Sequence, residues 1–232
     1  MLCPLFIGVY SILALPALAG LVVNSDMANV PLSGAAPFYD PRIRGGSMLD
    51  SAGEGVGEPL NVIISGQSSS TVLTEDGFID FALALGFARE CLDIHLGAPF
   101  PADLGDGNGW VNQTIELRHN YAIGGTCAET IFGGNHLRVF IQNGTEADSG
   151  AFFLAVSKEE DLAEGHTISP DGYDRGRDLL VAGATGTTKY GDRTYHTETQ
   201  IITGLLPAGS QGINHGISID GKVALLTVSI LA

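Results

Sequence analysis

NHLRVFIQN (residues 135–143), followed by SGAFFLAVSK (149–158), is the stretch on which the fold turns. Both segments read in the strand manner, and QTIELRHN (113–120) just before them reads the same way. Upstream, LNVIISG (60–66) is a continuous apolar run ended by glycine, the pattern of a buried strand. TEDGFIDFALALGF (74–87) then shows a helical period through Phe78, Phe81, Ala82 and Leu85, with Thr74 as N-cap and acidic residues in the first turn. CLDIHLG (91–97) reads as a short strand, and APFPADLGDGNGW (98–110) as turn chemistry throughout. Downstream, a helix runs from near Pro170 to about Ala182, and HTETQIITG (196–204) and KVALLTVSI (222–230) read as strands. The predicted order is β-α-β-β-β-α-β-β. That order describes a single α+β domain (59–232) with a mostly antiparallel sheet and two helices packed on one face. Residues 20–58, rich in Gly, Pro and Ser, read as an extended arm or loop laid on the domain.

Residues 1–19 carry no charged side chain; LFIGVYSILALPALA ends in Ala17-Leu18-Ala19, a small-x-small cleavage pattern. This is the pattern of a signal peptide and implies a secreted, extracellular protein. The run is shorter than the ~20 apolar residues a membrane span needs, and Pro16 interrupts it, so no transmembrane span is expected. Ala208-Gly209-Ser210 and the tail VALLTVSILA meet the minimal pattern of a GPI anchor, but the tail alternates like a strand, which weighs against anchoring. Without Cys3 the mature chain keeps Cys91 and Cys127, and in an oxidising compartment these are expected to pair. Asn112-Gln-Thr and Asn143-Gly-Thr are glycosylation sequons and imply surface positions. The net charge of −15 repels phosphate backbones, so nucleic acid is excluded as a general partner.

Two clusters could carry chemistry. In GHTISPDGYDRGRDLLVAGATG (165–186), Ser169 or Asp171 would cap a helix with Pro170 in its first turn. Asp171, Asp174, Arg175 and Asp178 would form a stripe, opposite Tyr173, Leu180 and Ala184. Such stripes are usually solvated faces, whereas a stripe end facing a cleft beside His166 could hold an anion. In the strands, Glu116, Arg118 and Asn120 share one face of their strand, and His136 and Arg138 share one face of the next. Paired in register, they would set carboxylate, imidazole and guanidinium groups side by side, a set suited to phosphoester chemistry. His136, His166 and Asp171 would make a His/His/carboxylate metal set. HExxH and paired Cys/His spacings are absent, so neither a metal nor another cofactor is expected. DLGDGNG (103–109) fails the calcium-loop pattern.

The chain resembles the soluble C-terminal domain of LssY-type proteins over most of residues 58–186. EPLNVIISG with a helix ending in ALGF is similar to that domain's opening strand and helix. NHLRVF is similar to its HHxRFW segment, FFLAVSKEED to its strand ending in an acidic residue, and HTISPDGYDRGRDLL to its HHIxPDxDxERDxL segment. The resemblance places His136, Arg138, His166, Pro170, Asp171, Arg177 and Asp178 at the family's positions, with Asn135 and Thr167 where the family has a second histidine of each pair. It implies a domain of unsettled activity. Two functions remain in view. The favoured one is a non-catalytic extracellular glycoprotein that binds a wall or host component, since no nucleophile or complete metal set is present. The alternative is a hydrolase acting on a phosphoester or other anionic substrate. In that case His136 and His166 serve as acid and base, Arg138 and Arg177 as anion clamp, and Asp171 orients His166; Ser169, Pro170 and Asp178 are structural.

Overall fold

The computed structural model describes residues 32–33, 36–94 and 97–231; the leader reading of residues 1–19 and the first part of the arm fall outside them. Among the described residues the strands are β1 (Leu32–Ser33), β2 (Leu60–Ile64), β3 (Phe87–Ala88), β4 (Pro101–Asp103), β5 (Trp110–Asn112), β6 (Ile115–His119), β7 (Asn135–Asn143), β8 (Ala147–Lys158), β9 (Gly186–Tyr190), β10 (Arg193–Thr203) and β11 (Lys222–Leu231). The α-helices are α1 (Glu75–Ala84), α2 (Gly125–Phe132) and α3 (Gly172–Ala184). One large sheet runs β3-β6-β7-β8-β2-β11-β10-β9, with β1 beside β8 and β4–β5 as a separate pair. Its neighbours are antiparallel except β2 with β11 and β1 with β8. The protein is therefore α+β with a mostly antiparallel sheet.

Alternation along β8 divides the core. Phe152, Leu154 and Val156 enter one apolar cluster, while Ala151, Phe153 and Ala155 enter the other. The first cluster takes Phe78, Phe81 and Ala82 from α1 and Leu180 and Ala184 from α3, so these two helices share one face of the sheet. Thr74 caps α1 by accepting a hydrogen bond from the Gly77 backbone N–H. The opposite face is covered by irregular chain, through Met48, Leu104, Leu206, Ile213 and Ile219. Residues 36–58 lie against that face and bury Met48.

Two polar devices fix α3 on the sheet. The register of β2 on β8 shifts between Leu60 and Val62. The intervening Asn61 uses its buried side chain to donate to the carbonyls of Val156 and Tyr173, and to accept from the Val156 N–H. At Gly176 the helix passes so close to β8 that a Cβ would stand 2.6–2.7 Å from Ser157 backbone atoms. Asn135 donates to the Gly176 carbonyl at 2.9 Å.

The observed order differs from the expected β-α-β-β-β-α-β-β. Among the described residues there are three helices rather than two, because GTCAETIF folds as α2 with Gly124 as its N-cap and Gly133 as its C-cap. Residues 91–93 form a 3-10 turn rather than a strand, with Leu92 and Asp93 at positive φ. Within the stretch read as turns, Pro101–Asp103 and Trp110–Asn112 pair as β4 and β5. β9 was not expected; it adds the last strand by pairing with β10. The tail with a GPI-like composition is β11, hydrogen-bonded between β2 and β10. Among the described residues no helix is long and apolar enough to cross a membrane.

Candidate functional site

β6 and β7 pair so that Glu116 stands opposite Arg138 and Arg118 opposite His136. Ile115, Leu117, Leu137 and Val139 take the face that packs under α1 and α3, which sends the four polar side chains to the other face. There His136 Nε2–H donates to Glu116 Oε1 at 2.8 Å. Its Nδ1 faces Glu159 Oε1 at 3.4 Å without a hydrogen bond. His166 approaches the same carboxylate, with Nδ1 3.7 Å from Glu159 Oε2. Glu159, one residue beyond β8, thus stands between the two imidazoles. His166 occupies the left-handed backbone region at φ +56°, a strained conformation for a residue with a Cβ.

Arg118 joins this group to two further carboxylates, Glu129 and Glu90. Its Nη1 lies 3.0 Å from Glu159 and 3.6 Å from Glu129, its Nε 3.1 Å from Glu90, and its Nη2 3.5 Å from Glu116. Glu129 comes from α2, is 0% exposed, and has no hydrogen-bond partner on either oxygen. The Cys91–Cys127 disulfide ties the turn at Cys91–Asp93 to α2. Glu90 and Glu129, each next to or near a half-cystine, are thereby both held within reach of Arg118. A cleft of about 330 Å³ opens here, lined by Arg118, Glu129, Glu159 and His166 together with Cys91 and Ile94. A neighbouring cleft of about 280 Å³ also touches Glu90 and reaches Glu116.

The electrostatics are those of a cation site. Four glutamates surround the Arg118 guanidinium, so carboxylates outnumber guanidinium groups at this end of the sheet. Burial raises the pKa of the Glu129 carboxyl, and the nearby Arg118 only partly opposes it. Burial would also raise Glu116, but the hydrogen bond from His136 and the charges of His136, Arg118 and Arg138 overcome it and hold Glu116 at about 2. Burial disfavours the charged guanidinium of Arg118, yet Glu159, Glu129, Glu90 and Glu116 together raise its pKa.

The other candidate residues lie elsewhere. Arg138 is buried between Asp50 at 3.1 Å and Glu58 at 2.8 Å, and its guanidinium stacks 4.1 Å over the Phe100 ring. Arg177 is also buried, paired with Asp220 at 2.6 Å, Asp178 at 2.8 Å and Asp174 at 3.2 Å, and donating to the Lys222 carbonyl. Both guanidiniums expected to clamp an anion are thus already taken up by carboxylates. Asp171 is exposed at the start of α3 and makes no side-chain capping bond; the carboxylate beside His166 is Glu159. Ser169 does not cap the helix either. Its hydroxyl donates to the Lys158 carbonyl at 2.9 Å and fastens the loop to β8. Pro170 sits in the turn before α3. Asn112 and Asn143 are both exposed. Among the described residues no three His, Cys, Asp or Glu side chains stand in metal-ligating geometry.

Glu90, Glu129 and Glu159 were missed as site residues. Glu159 had a signal, as the acidic residue that closes the FFLAVSK run, but Glu129 belongs to a helix that the pattern did not show. Comparisons of the chain with family models, with curated proteins and with solved structures found no match.

Proposed function

We propose that this protein is a secreted, disulfide-clamped glycoprotein that works as a binding module, taking a positively charged ligand into the cleft beside Glu129. One observation carries the reading: a fully buried carboxylate with no donor on either oxygen faces an open cleft whose other charged groups are mostly carboxylates. A carboxylate held away from water without donors is costly, and a cation supplies what it lacks. The phosphoester alternative loses support because Arg138 and Arg177 are saturated, and an anion entering the cleft would meet Glu129 and Glu159. The likeness to LssY-type domains stays within this proposal: His136 and His166 meet at Glu159, whereas Arg177 and Asp178 belong to a separate cluster with Asp220. Secretion fits the disulfide and the exposed sequons. Equilibrium dialysis of the purified, oxidised protein against spermidine and against inorganic phosphate tests the function. Retention of spermidine alone supports it; retention of phosphate alone, or of neither, overturns it.

A further inference from the structure

We infer that the ligand of this cleft is a primary ammonium on an aliphatic stem, with Glu129 as its counter-ion and the Cys91–Cys127 side of the cleft as the wall for the stem. The inference rests on the cation-binding reading above and specifies the chemistry of the cation. Three observations favour an alkylamine.

The acceptors are arranged for a small group with several donors. Glu129 Oε1 and Oε2, and His166 Nδ1 and Nε2, are all shielded from solvent and lack hydrogen-bond partners. The cleft is lined by these same two residues together with Glu159. An ammonium carries three N–H donors and no acceptor, so it can serve two carboxylates and one imidazole lone pair at once. A planar guanidinium already fills the adjoining position, since Arg118 spans the four glutamates.

The space exceeds what a bare ion would fill. About 330 Å³ is room for roughly ten waters, and an ion alone would leave most of it to solvent. A divalent metal would also meet the Arg118 guanidinium, which stands 3.0 Å from Glu159 and 3.6 Å from Glu129. No triad of ligating side chains is assembled to offset that repulsion among the described residues.

The lining is also two-natured. Cys91 and Ile94 border the same cleft as the glutamates. Apolar surface next to a buried carboxylate suits a methylene chain that ends in a charge, as in a free diamine or a lysine side chain.

Isothermal titration calorimetry on the purified, oxidised protein tests this, with cadaverine as the free diamine and Nα-acetyl-lysine methylamide as the lysine side chain. 1-Pentanol keeps the stem without the charge, and zinc chloride supplies the ion without a stem. The expected result is saturable one-to-one binding of an amine and none of pentanol. Glu129→Gln should weaken the amine at least tenfold, the loss of one charge-assisted hydrogen bond. Thr130→Trp is exposed and lines the cleft, so it should abolish binding by filling the space while leaving thermal stability unchanged. Tighter binding of cadaverine supports a free amine as the source, and tighter binding of the lysine derivative supports a basic protein segment. Equal amine affinity in wild type and in folded Glu129→Gln or Thr130→Trp overturns the inference. Zinc binding with no amine binding overturns it too, but leaves the cation-binding reading standing. Failure of every cation overturns both.

Discussion

Replacing Arg118 by methionine removes the guanidinium that contacts Glu90, Glu116, Glu129 and Glu159 and keeps most of the aliphatic bulk. Each of its ion pairs spans 3.0–3.6 Å. At an effective dielectric of about 20, a pair at that range is worth roughly 5 kcal/mol before desolvation is counted. Much of this is offset by the cost of taking the charges out of water. Removing one partner of a buried network nevertheless destabilises by about 3–5 kcal/mol, because the partners stay buried and unpaired. The Arg118 side chain is 21% exposed, which places the expected loss near the low end, about 3 kcal/mol at pH 7.5. In the variant, protonation of the glutamates takes over part of the relief that Arg118 gave. The folded state therefore binds more protons than the unfolded state, and the loss shrinks as pH falls toward 4. Urea unfolding of wild type and Arg118→Met at pH 7.5 and pH 4.5 reads both quantities. A loss below about 1 kcal/mol at pH 7.5, or one that does not shrink at the lower pH, would refute the view of Arg118 as the internal counter-ion.

Three further outcomes follow from the fold. Burial pushes Asp50 up to about 7 against the pull of Arg138, so its folded pKa lies above its unfolded value. Its contribution to stability is therefore complete below pH 4 and is lost as pH rises toward 7, by at most about 4 kcal/mol. Asp50→Asn removes that dependence, so its stability relative to wild type should rise between pH 4 and pH 8; a constant difference in urea unfolding would contradict it. Gly176→Ala puts a Cβ 2.6–2.7 Å from the Ser157 backbone and should cost about 1–3 kcal/mol, read as a lowered thermal midpoint. An unchanged midpoint would mean that α3 does not sit this close to β8. The double variant Cys91→Ala/Cys127→Ala opens a loop with a sequence separation of 36 and should lose roughly 3–4 kcal/mol in chemical denaturation. Retained stability would show that α2 is held without the bridge.

The strands and the amphipathic helix were legible because their signals are local. β7 begins and ends where NHLRVFIQN does, and α1 starts at the Thr74 cap. The disulfide followed from counting cysteines, and the meeting of Glu116, Arg118 and His136 from strand parity. The site itself was only half legible. α2 is eight residues long, capped by glycines, and buries Thr126, Ala128 and Glu129 rather than an apolar stripe, so neither its period nor its role stands out. A glutamate at 0% exposure departs from the expectation that charged residues stay outside, and such departures are found where a site is built. Glu129 meets Glu90 and Glu159 only through a tertiary approach of segments separated by about 30–40 residues. Sequence spacing carries no trace of that. The pairing of the two arginines assigned to an anion was hidden for a related reason: their carboxylate partners, Asp50 and Glu58 for Arg138 and Asp220 for Arg177, lie 43–88 residues away.

The proton on Glu129 reports most directly on the cleft. Carbon-detected NMR titration of the Glu129 carboxyl, assigned through Glu129→Gln, can be run on the free protein and on protein saturated with cadaverine. In the free protein burial should hold its pKa above the ordinary glutamate value, and the bound ammonium, favouring the charged form, should draw it down. A Glu129 titration curve that saturating amine leaves where it was would contradict the account.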